Sequence, residues 1–209
     1  MTWYTRYGKR AFDCACVIAT LPLTVPLCVV VLLVARWYLG PSILYRQVRP
    51  GLGGKPFTLF KIRTMTEARD AAGAYMPDSV RLTRVGKVLR AASLDEFTTL
   101  WNVLLGDMSL VGPRPLLMEY LPLYDAEQAR RHDVRPGITG WAQVHGRNAS
   151  SWEERLRLDV WYARHLSFLL DLRILALTVR TVLRRGGVSA EGHATMPRFT
   201  GTRKSEPTS

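Results

Sequence analysis

The pattern of apolar and polar positions is dominated by one long apolar run at residues 11–35, AFDCACVIATLPLTVPLCVVVLLVA. About 20 helical residues rising ~1.5 Å each cover the ~30 Å of a bilayer core, and no other stretch of the chain has that length. Asp13 near the start and Pro22 and Pro26 in the middle depart from a plain span, because each proline removes a backbone hydrogen bond and bends a helix. Lys9 and Arg10 precede the run and Arg36 follows it, so the distribution of cations gives no sidedness. A helix kinked at Pro26 that enters one leaflet and returns leaves both basic ends on the cytoplasmic face. A simple transmembrane anchor is the alternative, and the run does not read as a signal peptide.

Further along, SILYRQV and PFTLFKIRTM flank the turn-rich RPGLGGK and predict a β-hairpin over 42–65. GLGGK lacks the spacing of a phosphate loop and no helix follows it. The polar segment 66–79, with Gly73 and Pro77, predicts a solvent-facing loop. Over 81–90, Leu82, Val85, Val88 and Leu89 share one helical face, with Arg81, Arg84, Lys87 and Arg90 on the other. That arrangement suits an anionic membrane surface or a basic exposed face over an ordinary core. A helix from Leu94 carries Phe97, Leu100, Trp101, Val103 and Leu104 and stops at Gly106. GDMSLVGPRPLL then forms a loop that holds Arg114 stiffly between Pro113 and Pro115. A short polar helix is expected within 120–131, a glycine-rich loop and strand over 134–148, and amphipathic helices over 151–164 and 167–185. From Gly186 the composition is that of a loosely held tail.

Charge changes the picture more than composition does. Hydrophobic residues make up 47% of the chain, enough for a core, while the formal net charge is +12. Such an excess calls for an anionic partner, whether nucleic acid, phospholipid headgroups or a phosphorylated substrate. Cys14, Cys16 and Cys28 all lie in the apolar run without CxxC spacing, which gives no disulfide framework and no zinc site. Against the basic background stand two adjacent acids, Asp95 and Glu96, in SLDEF. Ser93 to Glu96 fits the S-x-x-E capping box that opens helices, and a carboxylate pair set among cations is the alternative. No nucleic-acid-binding module is recognisable and the acids interrupt the basic region, so nucleic acid is not the expected partner. No oligomeric state follows from the pattern.

KRAFD at 9–13, YRQVRPGLGGKPFTLFKIRTM at 45–65, SLDE followed by GDMSLVGPRP, and RPGITGWAQVHGRN at 135–148 resemble the bacterial sugar transferase family of monotopic phosphoglycosyl transferases. The likeness runs over about 9–199 and is to the small single-domain members. MEYLPLY, SFLLDL and VSAEGH resemble the branch that moves phospho-N,N'-diacetylbacillosamine from its UDP-sugar to undecaprenyl phosphate in bacterial protein N-glycosylation. The resemblance implies a mainly α, α/β architecture: a re-entrant membrane helix and flanks (1–40), a catalytic domain with amphipathic surface helices and a small hairpin (41–199), and a flexible tail (200–209). It also implies residence at the bacterial inner membrane among phospholipids, with the domain on the cytoplasmic face.

By the same resemblance Asp95 is the covalent nucleophile and Glu96 its partner, and either carboxylate holds Mg2+. Lys61, Arg90, Arg114 and Arg147 face the substrate phosphates, Asp159 joins the substrate site, and Pro26 marks the membrane-helix break. Asp171 also matches, with a helix-surface ion pair as its ordinary reading. His145 has no implied role. Family members carry Ser before the breaking proline; here Val25 precedes Pro26, and Thr24 would have to supply the hydroxyl. The chemistry is coherent, since an aspartate of pKa ~3.9 is ionised at neutral pH and can attack phosphorus without first losing a proton.

Overall fold

The computed structural model describes residues 3–145, 151–184 and 198–201. Arg147 and most of the tail from residue 186 onward lie outside the described residues. A π-helical turn, Tyr4–Gly8, leads into helix α1 (Lys9–Leu39), one helical run of 31 residues through both prolines. Both of its arms pack on the same domain. Val17 clusters with Leu59, Val103 and Met108, while Val31 and Ala35 cluster with Ile62 and Leu89. Between them the middle stands clear, with Leu23 75% exposed, and only 11% of the most apolar 18-residue window is buried. An apolar surface of that extent left outside the core suits lipid rather than water and marks the helix as a membrane anchor. The Thr24 hydroxyl donates to the Thr20 carbonyl (3.0 Å), so it serves Thr20 rather than the Pro22 carbonyl that Pro26 leaves without its donor.

Strands β1 (Leu44–Pro50) and β2 (Pro56–Ile62) form the expected antiparallel hairpin, with Leu44 opposite Ile62 and Pro50 opposite Pro56. The helix expected over 81–90 is instead two, α2 (Asp78–Arg81) and α3 (Arg84–Ala91), with Leu82 extended between them. The divide follows from Thr83, whose hydroxyl accepts from the Gly86 N–H (2.9 Å) and starts a new helix there. Gly86 lets α3 sit directly on the chain leaving β2, because a Cβ at this position would fall 1.9 Å from the Thr64 carbonyl oxygen. Leu89 is buried as expected, but Val88 turns out beside the exposed Arg84 and Lys87.

The capping box expected over Ser93 to Glu96 does not form. Ser93 is left-handed (φ 56°) and its side chain caps nothing, and Leu94–Glu96 is a single 3-10 turn. The Ser93 N–H closes on the Arg90 carbonyl (3.1 Å), which turns the chain sharply off α3, and the Glu96 carboxylate is taken by cations instead. Helix α4 (Thr99–Leu105) follows and ends at Gly106 (φ 92°).

Strands β3 (Ser109–Val111) and β4 (Gly137–Thr139) pair in parallel, and α5 (Ala126–Ala129) lies between them in the chain. Gly137 is required by their close approach, since a Cβ there would lie 2.1 Å from the Gly112 nitrogen. Helices α6 (Trp141–His145), α7 (Trp152–His165) and α8 (Phe168–Arg184) complete a mainly helical fold with one small hairpin. Asp171 on α8 is not a surface ion pair. It is fully buried and accepts from Lys9 Nζ (2.7 Å), Tyr4 OH (2.6 Å) and Tyr162 OH (2.7 Å), which ties the start of α1 to α7 and α8.

Candidate active site

The face of the hairpin that carries Gln47, Arg49 and Lys61 walls a cleft of about 1100 Å³, closed opposite by the 3-10 turn with Asp95 and Glu96 and by Arg114. Period-two alternation puts Lys61 into this cleft and its neighbour Phe60 on the other side of the strand. Lys61 Nζ lies 2.5 Å from Glu96 Oε1, and Arg114 Nη2 reaches the same oxygen at 2.9 Å. Burial alone would raise the Glu96 pKa, but Arg114 and Lys61 outweigh it and hold the carboxyl down to about 2. Glu96 is therefore a fixed anion whose charge is already compensated.

Asp95 differs in each respect. Among the described residues no side chain donates a hydrogen bond to its carboxylate or forms an ion pair with it. Burial raises its pKa; Lys61 opposes that rise, Glu96 adds to it, and Arg90 opposes it again. Arg90 Nε donates to Thr64 Oγ1 (2.9 Å), which aims its guanidinium from the end of α3 into the cleft.

Arg114 owes its position to its backbone. Flanking prolines fix φ and offer no donors, and three successive carbonyls are each held from outside. Pro113 O accepts from Gly137 N (2.9 Å), Arg114 O from Arg131 Nη2 (2.7 Å) and Pro115 O from Arg49 Nη1 (3.4 Å). Arg131 is itself fixed by Asp159, which accepts from its Nε (3.1 Å) and Nη2 (2.8 Å) in a pair almost entirely out of water. Asp159 thus lines the cleft as the buried partner of Arg131, with its charge already matched.

Arg49, Arg131 and Arg155 also line the cleft and were not legible as site residues. Arg49 had a signal, since alternation along β1 puts it on the Lys61 face. Nothing in the sequence distinguishes Arg131 and Arg155 from the other cations. His145 lies outside, its ring tilted by 39° at 3.7 Å from that of Trp141 and its Nδ1 near the Trp141 carbonyl.

The described residues contain no group of three or more His, Cys, Asp or Glu that could hold a metal ion by themselves. An adjacent carboxylate pair in which Asp95 has no ion pair does fit magnesium, which binds through one or two carboxylates and completes its shell with phosphate oxygens and water.

The model of the family described as bacterial sugar transferase matches residues 4–185, which include every element that builds the cleft. The chain belongs to the bacterial sugar transferase family. This sugar transferase is 56% identical over 194 residues to a Bacillus subtilis (strain 168) protein named "Uncharacterized sugar transferase EpsL", covering 93% of this chain and 96% of that one. It is 40% identical over 186 residues to the UDP-glucose:undecaprenyl-phosphate glucose-1-phosphate transferase of Caulobacter vibrioides (strain ATCC 19089 / CIP 103742 / CB 15), covering 84% of this chain and 69% of that one. To the UDP-N-acetylgalactosamine-undecaprenyl-phosphate N-acetylgalactosaminephosphotransferase of Aeromonas hydrophila it is 37% identical over 183 residues, covering 84% of this chain but 43% of that relative. The sugar transferase is an enzyme of the transferase class.

Proposed function

We propose that the sugar transferase moves a sugar 1-phosphate from a UDP-sugar to undecaprenyl phosphate through a covalent intermediate on Asp95. The observation that carries this reading is the asymmetry of the two acids: Glu96 is compensated by Lys61 and Arg114, and Asp95 has cations near it but no ion pair among the described residues. In the first step an Asp95 carboxylate oxygen attacks the β-phosphorus. A new P–O bond forms as the bond to the α-phosphate oxygen breaks, and UMP leaves with that electron pair. In the second step an oxygen of the polyprenyl phosphate attacks the same phosphorus. The Asp95–phosphorus bond breaks, the carboxylate returns to its starting state, and polyprenyl diphosphate sugar is released.

The obstacle is repulsion, because an anion must approach a diphosphate, and each ~1.4 kcal/mol of barrier is worth tenfold in rate. Lys61, Arg90 and Arg114 offset it from two sides of the cleft, Arg114 with a fork that matches phosphate oxygens. Arg147, two residues beyond α6, is assigned to the same role from its sequence motif. Mg2+ would be held by Asp95 or Glu96 together with substrate phosphates, where it supplies Lewis-acid neutralisation of the phosphoryl oxygens.

Relatives are named for N-acetylgalactosamine, glucose or galactose. For this chain we carry forward an amino sugar, UDP-N,N'-diacetylbacillosamine or a related compound, on the likeness in MEYLPLY and SFLLDL. The same reading places the enzyme at the bacterial inner membrane with the cleft on the cytoplasmic face. UMP release over a panel of UDP-sugars with undecaprenyl phosphate identifies the donor. Intact-protein mass spectrometry after incubation with that donor and Mg2+, without acceptor, then shows a phosphosugar adduct on Asp95. Turnover that survives in Asp95→Asn sinks the mechanism.

A further inference from the structure

The reaction above gives the acceptor's phosphate a destination and leaves its apolar chain without one. A groove of about 370 Å³ opens where the middle of α1 stands off the domain, within the usual size range of ligand sites at ~300–1,000 Å³. Leu21, Val25 and Cys28 line it from α1, Phe60 from β2, and Phe97 and Trp101 from the other wall. Among the described residues its hydroxyls are Thr24 and Thr98, and both are occupied: Thr24 Oγ1 donates to the Thr20 carbonyl and Thr98 Oγ1 to the Phe60 carbonyl (2.9 Å). The groove therefore offers a sugar or a nucleotide no free hydroxyl, only the Trp101 indole N–H and the weakly donating Cys28 thiol, and its otherwise apolar walls suit a hydrocarbon.

It adjoins the charged cleft twice along the chain. Lys61 lines the cleft and Phe60 the groove; Glu96 lines the cleft and Phe97 the groove. Strand β2 is thus a partition with an ammonium on one side and a phenyl ring on the other. A ligand fitting both sides has a compact anionic head and a long apolar tail, and the cations beside Asp95 favour a bare monophosphate over a headgroup carrying its own ammonium.

We propose that this groove seats the isoprenoid chain of the polyprenyl phosphate, so that the phosphate rounds the edge between β2 and Phe97 to reach Asp95. The inference rests on the acceptor named above, and its first test needs no UDP-sugar and no turnover. The wild-type enzyme in phosphatidylcholine nanodiscs is alkylated with N-ethylmaleimide, and the modification of each cysteine is followed by peptide mass spectrometry. Undecaprenyl phosphate at about four times its Kd is expected to slow alkylation of Cys28 about fivefold while leaving Cys14 and Cys16 unchanged. Phosphatidic acid at the same mole fraction shares the bare monophosphate but brings two acyl chains to one groove of about 370 Å³, and is expected to give no protection. Equal protection by phosphatidic acid would make the groove a general lipid site, and no protection by either would leave it unconnected to the acceptor; each result overturns the proposal.

A second measurement fills the groove at an exposed helix position. Val25→Trp is expected to raise the ratio of KM for undecaprenyl phosphate to KM for geranyl phosphate about tenfold. An unchanged ratio overturns the proposal. Absence of UMP release from the wild-type enzyme with every donor would instead sink the transferase mechanism, and the alkylation result would still read the groove.

Discussion

Arg131 offers the sharpest test of how the cleft is held, because it separates stability from positioning. The Arg131 and Asp159 side chains are 1% and 4% exposed, with the guanidinium on the carboxylate through two nitrogens. Removing one partner of such a pair leaves an uncompensated buried charge and costs about 3–5 kcal/mol. At roughly 2–4 °C per kcal/mol for a domain of this size, Arg131→Met is expected to lower Tm by on the order of 6–20 °C. Replacing both partners with apolar residues, Arg131→Met with Asp159→Leu, removes the stranded charge and is expected to recover most of that loss. It does not restore the donor to the Arg114 carbonyl, a charged hydrogen bond of 2.7 Å worth about 1.5–3 kcal/mol. With Arg114 no longer fixed over Glu96, kcat/KM for the UDP-sugar is expected to stay down by about tenfold or more. Thermal unfolding in detergent and UMP-release kinetics on the same three proteins give both readouts. A double variant that recovers Tm and full kcat/KM together would refute the positioning role and leave the pair purely structural.

Other outcomes follow from the same geometry. Asp95 must be ionised to attack and its pKa is raised by burial, so adduct formation is expected to fall away with decreasing pH above the ordinary aspartate value of ~3.9. Lys61→Met should move that limb higher still, and a limb unmoved in the variant would separate Lys61 from Asp95. For Glu96 the sign is opposite: its pKa is held down to about 2, so its ion pairs stabilise the fold fully above the unfolded value of ~4.3 and lose that contribution as pH falls toward 2. Unfolding curves between pH 5 and 2 should show the loss in the wild type and a smaller one in Glu96→Gln. Ser93→Gly removes a side chain from a left-handed residue and is expected to stabilise by about 1 kcal/mol, whereas a working cap would make the substitution destabilising. Lys9→Met strips a cation from fully buried Asp171 and should cost about 3–5 kcal/mol in thermal unfolding, with Lys9→Met/Asp171→Asn milder than Lys9→Met alone.

What the sequence discloses divides by the range of the interaction. The hairpin was legible because alternation is local and RPGLGGK supplies its turn; the end of α4 was legible because Gly106 is the left-handed residue that stops a helix. SLDEF misled for the same reason. S-x-x-E is a local signal, and it lost to two cations, 35 and 18 residues away from Glu96 along the chain, that claim its carboxylate. On amphipathic helices rich in arginine Asp171 reads as a surface acid and Asp159 as a substrate contact, yet their partners are Lys9 and Arg131, 162 and 28 residues away. No periodicity marks a buried arginine among 29 basic residues, so Arg131 could emerge only from the fold.

Five of the 17 acids in this basic chain then have one physical account. Asp13 accepts from Ser109 Oγ (2.7 Å), Asp171 holds Lys9, Asp159 holds Arg131, and Glu96 holds Lys61 and Arg114. Each of these four acids fixes a neighbouring element or cation, Asp13 and Asp171 at the start of α1 and Asp159 and Glu96 at the cleft. Asp95 has cations near it but no bond to any of them among the described residues. A site that must bring a carboxylate to a diphosphate needs surrounding charge that is positive yet unable to quench the nucleophile by direct pairing. Glu96 achieves that division. By engaging Lys61 and Arg114 through one oxygen it keeps both cations in the cleft with no ion pair to Asp95 among the described residues, and their remaining donors can meet phosphate.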